Sequence, residues 1–168
     1  MASAPEKNVI RLKIDNVRLH DLFVLISQRL GYDAEDDDTL DDIDNLVNLW
    51  TEQGFVDIYE KNADRRYGRV KDSNSVGGSS PWYIDLFHAR LSPKGENDPL
   101  VVLSFEKVAE KGDSAVYDVV LRFMIDHDRM FGTIAEKMNQ ARMKAIRKDV
   151  DALVQEQKAY TPPPAVGE

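Results

Sequence analysis

The chain has no cysteine among its 168 residues. That excludes disulfides, thiolate metal centres and cysteine nucleophiles, and it permits a reducing compartment. No apolar run approaches the ~20 residues that a bilayer-crossing helix needs. The N-terminus, MASAPEKNVIRLKID, lacks the basic-then-apolar order of a signal peptide. A cytoplasmic protein without a membrane partner is the expectation. Chemistry-bearing motifs are equally scarce. There is no Gly-x-Ser-x-Gly, no His-Glu-x-x-His and no dinucleotide fingerprint, and the GGSS stretch at 77–80 lacks the lysine and spacing of a phosphate-binding loop. Neither a cofactor nor an enzymatic activity is expected.

What is present is a concentrated charge. The net charge is −8, from 30 acids and 22 bases. Residues 33–44, DAEDDDTLDDID, hold eight of the acids and no base, and the remaining 22 acids balance the 22 bases. One segment therefore carries the whole imbalance. An evenly acidic surface serves solubility, whereas a concentrated patch can steer a basic partner. The 42% hydrophobic content is sufficient for one core, and the length suits one domain. We expect a single α+β domain over residues 1–160 and an extended Pro-rich tail over 161–168.

Periodicity supplies the elements. Residues 8–15 alternate Val9, Arg11 and Lys13 with Ile10, Leu12 and Ile14, as in a half-buried strand. A helix follows over about 19–30, with Leu19, Leu22, Phe23, Ile26 and Leu30 on one face and Gly31 as its stop. A second helix is placed from Thr39, where Thr39 and Asp42 nearly form a capping box. Its apolar face is Leu40, Ile43, Val47 and Trp50, and Gly54 closes it. Asp41, Asp42 and Asp44 then lie in its first turns, where the helix dipole favours each by about 0.3–1 kcal/mol. Residues 55–61 read as a strand and 62–80 as a loop or mobile hairpin. Strands at 82–91, 100–108 and 115–125 suggest an antiparallel meander, with Tyr117, Val119, Leu121, Phe123 and Ile125 on one buried face and Val101, Leu103 and Phe105 in one row. A long amphipathic helix is predicted from Asp128 to about Gln157, with Ile134, Met138, Ala141, Ala145, Ile146, Val150, Leu153 and Val154 packed on the sheet. The fold class is thus α+β, with an N-terminal strand, two helices, a meander and a long C-terminal helix.

Four constellations bear on function. Counting Asp33 as position 1 places Asp33, Glu35, Asp37, Asp41 and Asp44 at the ligand positions of a calcium loop, with the Thr39 carbonyl at position 7. Over about residues 19–54 the chain resembles an EF-hand, which implies a calcium site. Asp38 stands where that family needs glycine and Asp44 where it needs glutamate, so no metal site is expected. The run LVNLWTEQGFVDIYEKNADRRYGRV, through Gly54-Phe55-Val56 and Asp64-Arg65-Arg66, resembles the recognition helix and wing of bacterial MarR-type repressors. The resemblance implies a DNA contact, but Asp41, Asp42 and Asp44 would face phosphates carrying one charge per ~1.7 Å of duplex. Arg65, Arg66, Arg69 and Lys71 surround Tyr67, a pattern that suits single-stranded nucleic acid through stacking and charge. Finally, Arg129, Lys137, Arg142, Lys144, Arg147 and Lys148 face Glu136 alone on the last helix. At roughly 45 Å that helix would outrun a small sheet, and its overhang is placed to form a homodimer. The histidines His20, His88 and His127 do not combine into a site. Asp85 and His88 point to opposite faces of a strand, and Asp126 and Asp128 beside His127 read as a strand exit and helix cap.

The leading functional expectation is a non-enzymatic binding protein. Asp36, Asp37, Asp38, Asp41, Asp42 and Asp44 form its contact surface for a basic protein partner, with Tyr32 at the rim. It would act as an acidic inhibitor or nucleic-acid mimic, since displayed carboxylates gain steered association with basic clefts. The strand–helix–acid–helix order is similar to that of barstar-type inhibitors. The alternative is a nucleic-acid-binding regulator that uses Arg65, Arg66, Tyr67, Arg69 and Lys71. A structural or assembly protein is the third reading.

Overall fold

A computed structural model describes residues 9–59, 68–73, 83, 85–91 and 99–163. Six strands form a closed barrel in sequence order: β1 (Val9–Leu19), β2 (Phe55–Tyr59), β3 (Val70–Asp72), β4 (Phe87–Arg90), β5 (Leu100–Lys111) and β6 (Ser114–Ile125). Four helices accompany it: α1 (Phe23–Arg29), α2 (Asp37–Gln53), α3 (His127–Phe131) and α4 (Gln140–Ala159).

The open meander with a helix laid on it is therefore overturned. β4, β5 and β6 do pair antiparallel in sequence order. Closure comes from elsewhere: β1 pairs antiparallel with β2 on one side and parallel with β6 on the other. β2 and β3 are also parallel, so the barrel is mixed. β3 lies in what read as a loop, a strand of three residues being too short to show alternation.

Two β-bulges decide which side chains enter the barrel. In β1 the register shifts between Ile14 and Asn16, so that Leu12 and Ile14 pack on the interior cluster before the bulge and Val17, of the opposite parity, enters it after. In β6 the shift falls between Leu121 and Phe123. Val119 and Leu121 point into the interior cluster, whereas Phe123 and Ile125 point outward beneath the helices. The expected single face is thus split, because one inserted residue inverts every later side chain. Both faces of β5 and β6 are covered here, and residues 119–125 are buried without a break.

The interior cluster joins all six strands with Phe23, Ala34, Ile43, Leu46 and Trp50. Trp50 also donates its indole N–H to the Gly68 carbonyl at 2.8 Å. The second cluster lies outside the barrel, where α1, α3 and α4 cover Leu100, Val102, Phe123 and Ile125. Tyr83 joins this cluster and donates its hydroxyl to the Met130 carbonyl.

The long C-terminal helix is broken into α3, a single 3-10 turn (Glu136–Met138) and α4. Gly132, at φ 84°, ends α3, and a Cβ there would come within 2.7 Å of the Met143 sulfur. Thr133 and Glu136 then cap each other: Thr133 N–H donates to Glu136 Oε1 at 3.0 Å, and Glu136 N–H donates to Thr133 Oγ1 at 3.1 Å. Asn139 caps α4 by accepting from Arg142 N–H at 3.0 Å. Ile134 and Met138 consequently stand 84% and 87% exposed instead of packing on the sheet. At 20 residues α4 spans about 30 Å, against the roughly 45 Å expected of one continuous helix.

A buried arginine ties α4 to the barrel. Arg122 Nε donates to Ser104 Oγ at 2.8 Å and Nη1 to Gln157 Oε1 at 3.2 Å, while Gln157 Nε2 donates back to the Arg122 carbonyl at 2.6 Å. Both side chains are buried. Gln157→Ala removes one acceptor from the buried guanidinium and the donor to the Arg122 carbonyl and should cost about 1–3 kcal/mol of stability, read as a lower urea midpoint at unchanged slope.

Candidate functional site

The acidic segment resolves into caps and a displayed face. Asp33 Oδ1 accepts from Glu35 N–H at 2.9 Å, closing a local turn. The helix begins two residues before Thr39: Asp36 is its N-cap and accepts from Asp38 N–H at 3.2 Å. Asp37 and Asp38 occupy the first turn. Four of the acids therefore have a local structural role, through capping bonds and the helix dipole. Gly54 closes the helix at φ 72°, the left-handed cap that its position in the sequence suggested.

Helical spacing sets Ile43, Leu46 and Trp50 against the core. It leaves Asp37, Asp38, Asp41 and Asp44 on the solvent side, where all are exposed. None of these, nor Asp36, makes an ion pair among the described residues. Asp42 differs, being half-buried at the flank with a partner of its own. Leu40 was placed on the apolar face but is 41% exposed and lies within the acidic surface. Tyr32 is half-buried against both clusters, and burial raises its phenol pKa, with the Asp126 charge adding to the effect.

A calcium loop is not built by this geometry. From Asp37 onward the would-be loop is helix, so its later ligand positions cannot wrap a cation. Among the described residues no group of three metal-ligating side chains comes together. Among the described residues, β2 and β3 run parallel in the barrel wall, whereas a repressor wing is an antiparallel hairpin after the recognition helix; Asp64, Arg65 and Arg66 of that resemblance lie outside the described residues.

Of the basic loop, Arg65, Arg66 and Tyr67 lie outside the described residues. Arg69 stacks its guanidinium over the Tyr59 ring at 4.5 Å, and Lys71 lies in β3. Both are half-buried and engaged. On the C-terminal segment Arg142 Nε donates to Glu136 Oε2 at 2.6 Å, while Lys137, Lys144 and Lys148 are exposed.

The histidines remain apart in function. His127 is exposed at the start of α3, where Asp126 is the N-cap. His20 accepts from Leu22 N–H through Nδ1 at 3.0 Å. Its pKa is lowered, by burial first and by the Arg122 charge second. His88 is buried and shares a 2.6 Å hydrogen bond between Nδ1 and Ser73 Oγ. A serine and a histidine this close are the first two members of a nucleophilic site, a pairing that no sequence spacing signalled. Ser73 is fully buried, however, so no substrate reaches its oxygen, and the pair acts as a polar tie between β4 and the residue after β3. Burial pushes the His88 pKa down to about 3, with the Lys71 and His127 charges adding to the effect.

Sequence reading also missed a cleft of about 610 Å³ between α1, α3, the 3-10 turn and α4. It lies beside the break in the C-terminal helix, whose 3-10 turn contributes Glu136 to the lining. The signals for that break, Gly132 and the Thr133-x-x-Glu136 capping box, are present in the sequence. No family model matches the chain, no curated protein matches it in sequence, and no solved structure matches it in fold.

Two stability measurements follow from these contacts. Asp36→Ala should cost about 1 kcal/mol by removing the N-cap, and Asp36→Asn should cost little because asparagine caps equally well. Equal losses would assign the effect to charge instead. His88 is neutral in the fold down to about pH 3 but takes up a proton near 6.5 when unfolded. Its contribution is therefore complete above about pH 6.5 and declines as pH falls through that value towards 3. His88→Gln should lose less stability between pH 7 and pH 5 than the parent chain does, measured as the change in urea midpoint.

Proposed function

We propose that this chain is a non-enzymatic protein-binding module whose α2 surface engages a basic partner protein. The supporting observation is the display of Asp37, Asp38, Asp41 and Asp44, exposed and without ion pairs among the described residues, on a helix whose opposite side is fixed in the core. A rise of 1.5 Å per residue separates Asp37, Asp41 and Asp44 by about 6 and 4.5 Å along the axis. One DNA strand has about 3.4 Å per phosphate, so the carboxylates offer a sparser version of the same field to a surface evolved for phosphates. Because the helix is anchored through Ile43, Leu46 and Trp50, binding costs little ordering, which favours association of preformed surfaces. Leu40 supplies one apolar contact within the charged face.

The test is a paired capture from source-cell lysate, with one bait native and the other carrying Asp37→Asn, Asp38→Asn, Asp41→Asn and Asp44→Asn. Asp36 is left intact because it caps the helix, and Asp42 because it is half-buried with a partner of its own. A basic protein held by the native bait, released as salt rises, and absent from the substituted bait is the expected result. Equal capture by both baits overturns the reading. A low-salt gel shift separates the nucleic-acid alternative, which requires affinity for DNA or RNA that falls steeply with salt.

A further inference from the structure

The cleft beside α4 has the size of a small-molecule site, about 610 Å³ against a usual range of ~300–1,000 Å³. Leu30, Ile125, Ile146, Val150 and Leu153 form its apolar side. Its rim carries Arg29, Arg129 and Arg142 against Asp128, Glu136 and Asp149. The six formal charges cancel, so hydrogen-bonding capacity decides what the rim can receive.

One of the three acceptors is fully engaged. Glu136 uses Oε1 on Thr133 N–H and Oε2 on Arg142 Nε. Asp128 lies in the first turn of α3, where the helix dipole compensates it, and 3.4 Å from His127 Nδ1. Asp149 is exposed. Donors remain in surplus. A guanidinium has five N–H groups. Arg29 engages Glu156 through Nη1 at 2.7 Å, and Arg142 engages Glu136 through Nε at 2.6 Å. The Arg129 side chain has no hydrogen bond or ion pair among the described residues.

We propose that this cleft binds a small amphipathic oxyanion, its apolar body against Leu30, Ile146, Val150 and Leu153 and its head accepting from Arg129. A carboxylate, a sulfonate or a phosphate monoester presents the same fork of acceptor oxygens to a guanidinium. The site is separate from the acidic face of α2 and stands whether or not that face binds a protein.

The probe is sodium decanoate titrated into the full-length, ¹⁵N-labelled chain. Decyltrimethylammonium and decyl maltoside serve as cationic and neutral controls, and acetate and inorganic phosphate as heads without a body. Decanoate should give saturable amide shifts at Leu30, Ile146, Val150 and Leu153, with half-saturation near or below about 1 mM for a ligand of this size. Arg129→Ala, at an exposed position that does not support the core, should weaken it about tenfold. Equal binding of the cation, an Arg129→Ala variant as tight as the parent, the same shifts from acetate or phosphate alone, or no saturation by about 10 mM would each overturn the assignment.

Discussion

The pairing of β1 with β6 is the contact on which the rest of the architecture depends. It joins Lys13 to Val116 and continues to Leu19 and Leu121, about a hundred residues away along the chain. Without it β4, β5 and β6 would remain a meander, and the interior cluster of Val17, Val119 and Leu121 would face water on one side. Bringing such distant segments together carries a loop-closure cost that local contacts do not. The return is a core closed all round, into which α2 sends Ile43, Leu46 and Trp50. The outer helices then have a continuous wall of β5 and β6 to cover, and the positions of α1, α3 and α4 follow from it.

Local signals were legible where a short stretch of chain decides the structure. β2, β5 and β6 lie close to where alternation placed them, and Gly54 ends α2 in the conformation that glycine favours. Signals failed where a distant partner decides. Nothing in residues 8–15 announces a parallel neighbour beyond residue 115. Nor does the alternation of β6 announce that Phe123 leaves the interior, because a bulge is settled against the partner strand. The break at residues 132–139 failed for another reason. A 3.6-residue apolar pattern runs across it, yet Gly132, Thr133, Glu136 and Asn139 terminate and restart the chain locally. Capping chemistry overrode periodicity, and Ile134 and Met138 were left in solvent as a result.

The same distinction applies to the acidic segment. Its composition stands out at once in the sequence, but composition does not separate the carboxylates that build the helix from those merely shown by it. Asp33 and Asp36 accept backbone N–H groups, and Asp37 and Asp38 sit at the positive end of the dipole. Asp41 and Asp44 have no such role and lie on the face that the core does not use. Thus the charge density is partly a helix-start device and partly an open surface. Only side-chain placement divides the two.

A closed barrel also limits the ways in which another chain can be recognised. Each described strand has a neighbour on both sides over part of its length, but the pairing is staggered. β4 covers β5 only from Leu100 to Leu103, and residues 104–111 are bonded laterally to β6 alone. Among the described residues, addition of an extended peptide as a further strand is thus confined to such uncovered stretches at the barrel rim. Elsewhere contact falls to the outer layer of helices, where specificity must be read by side chains.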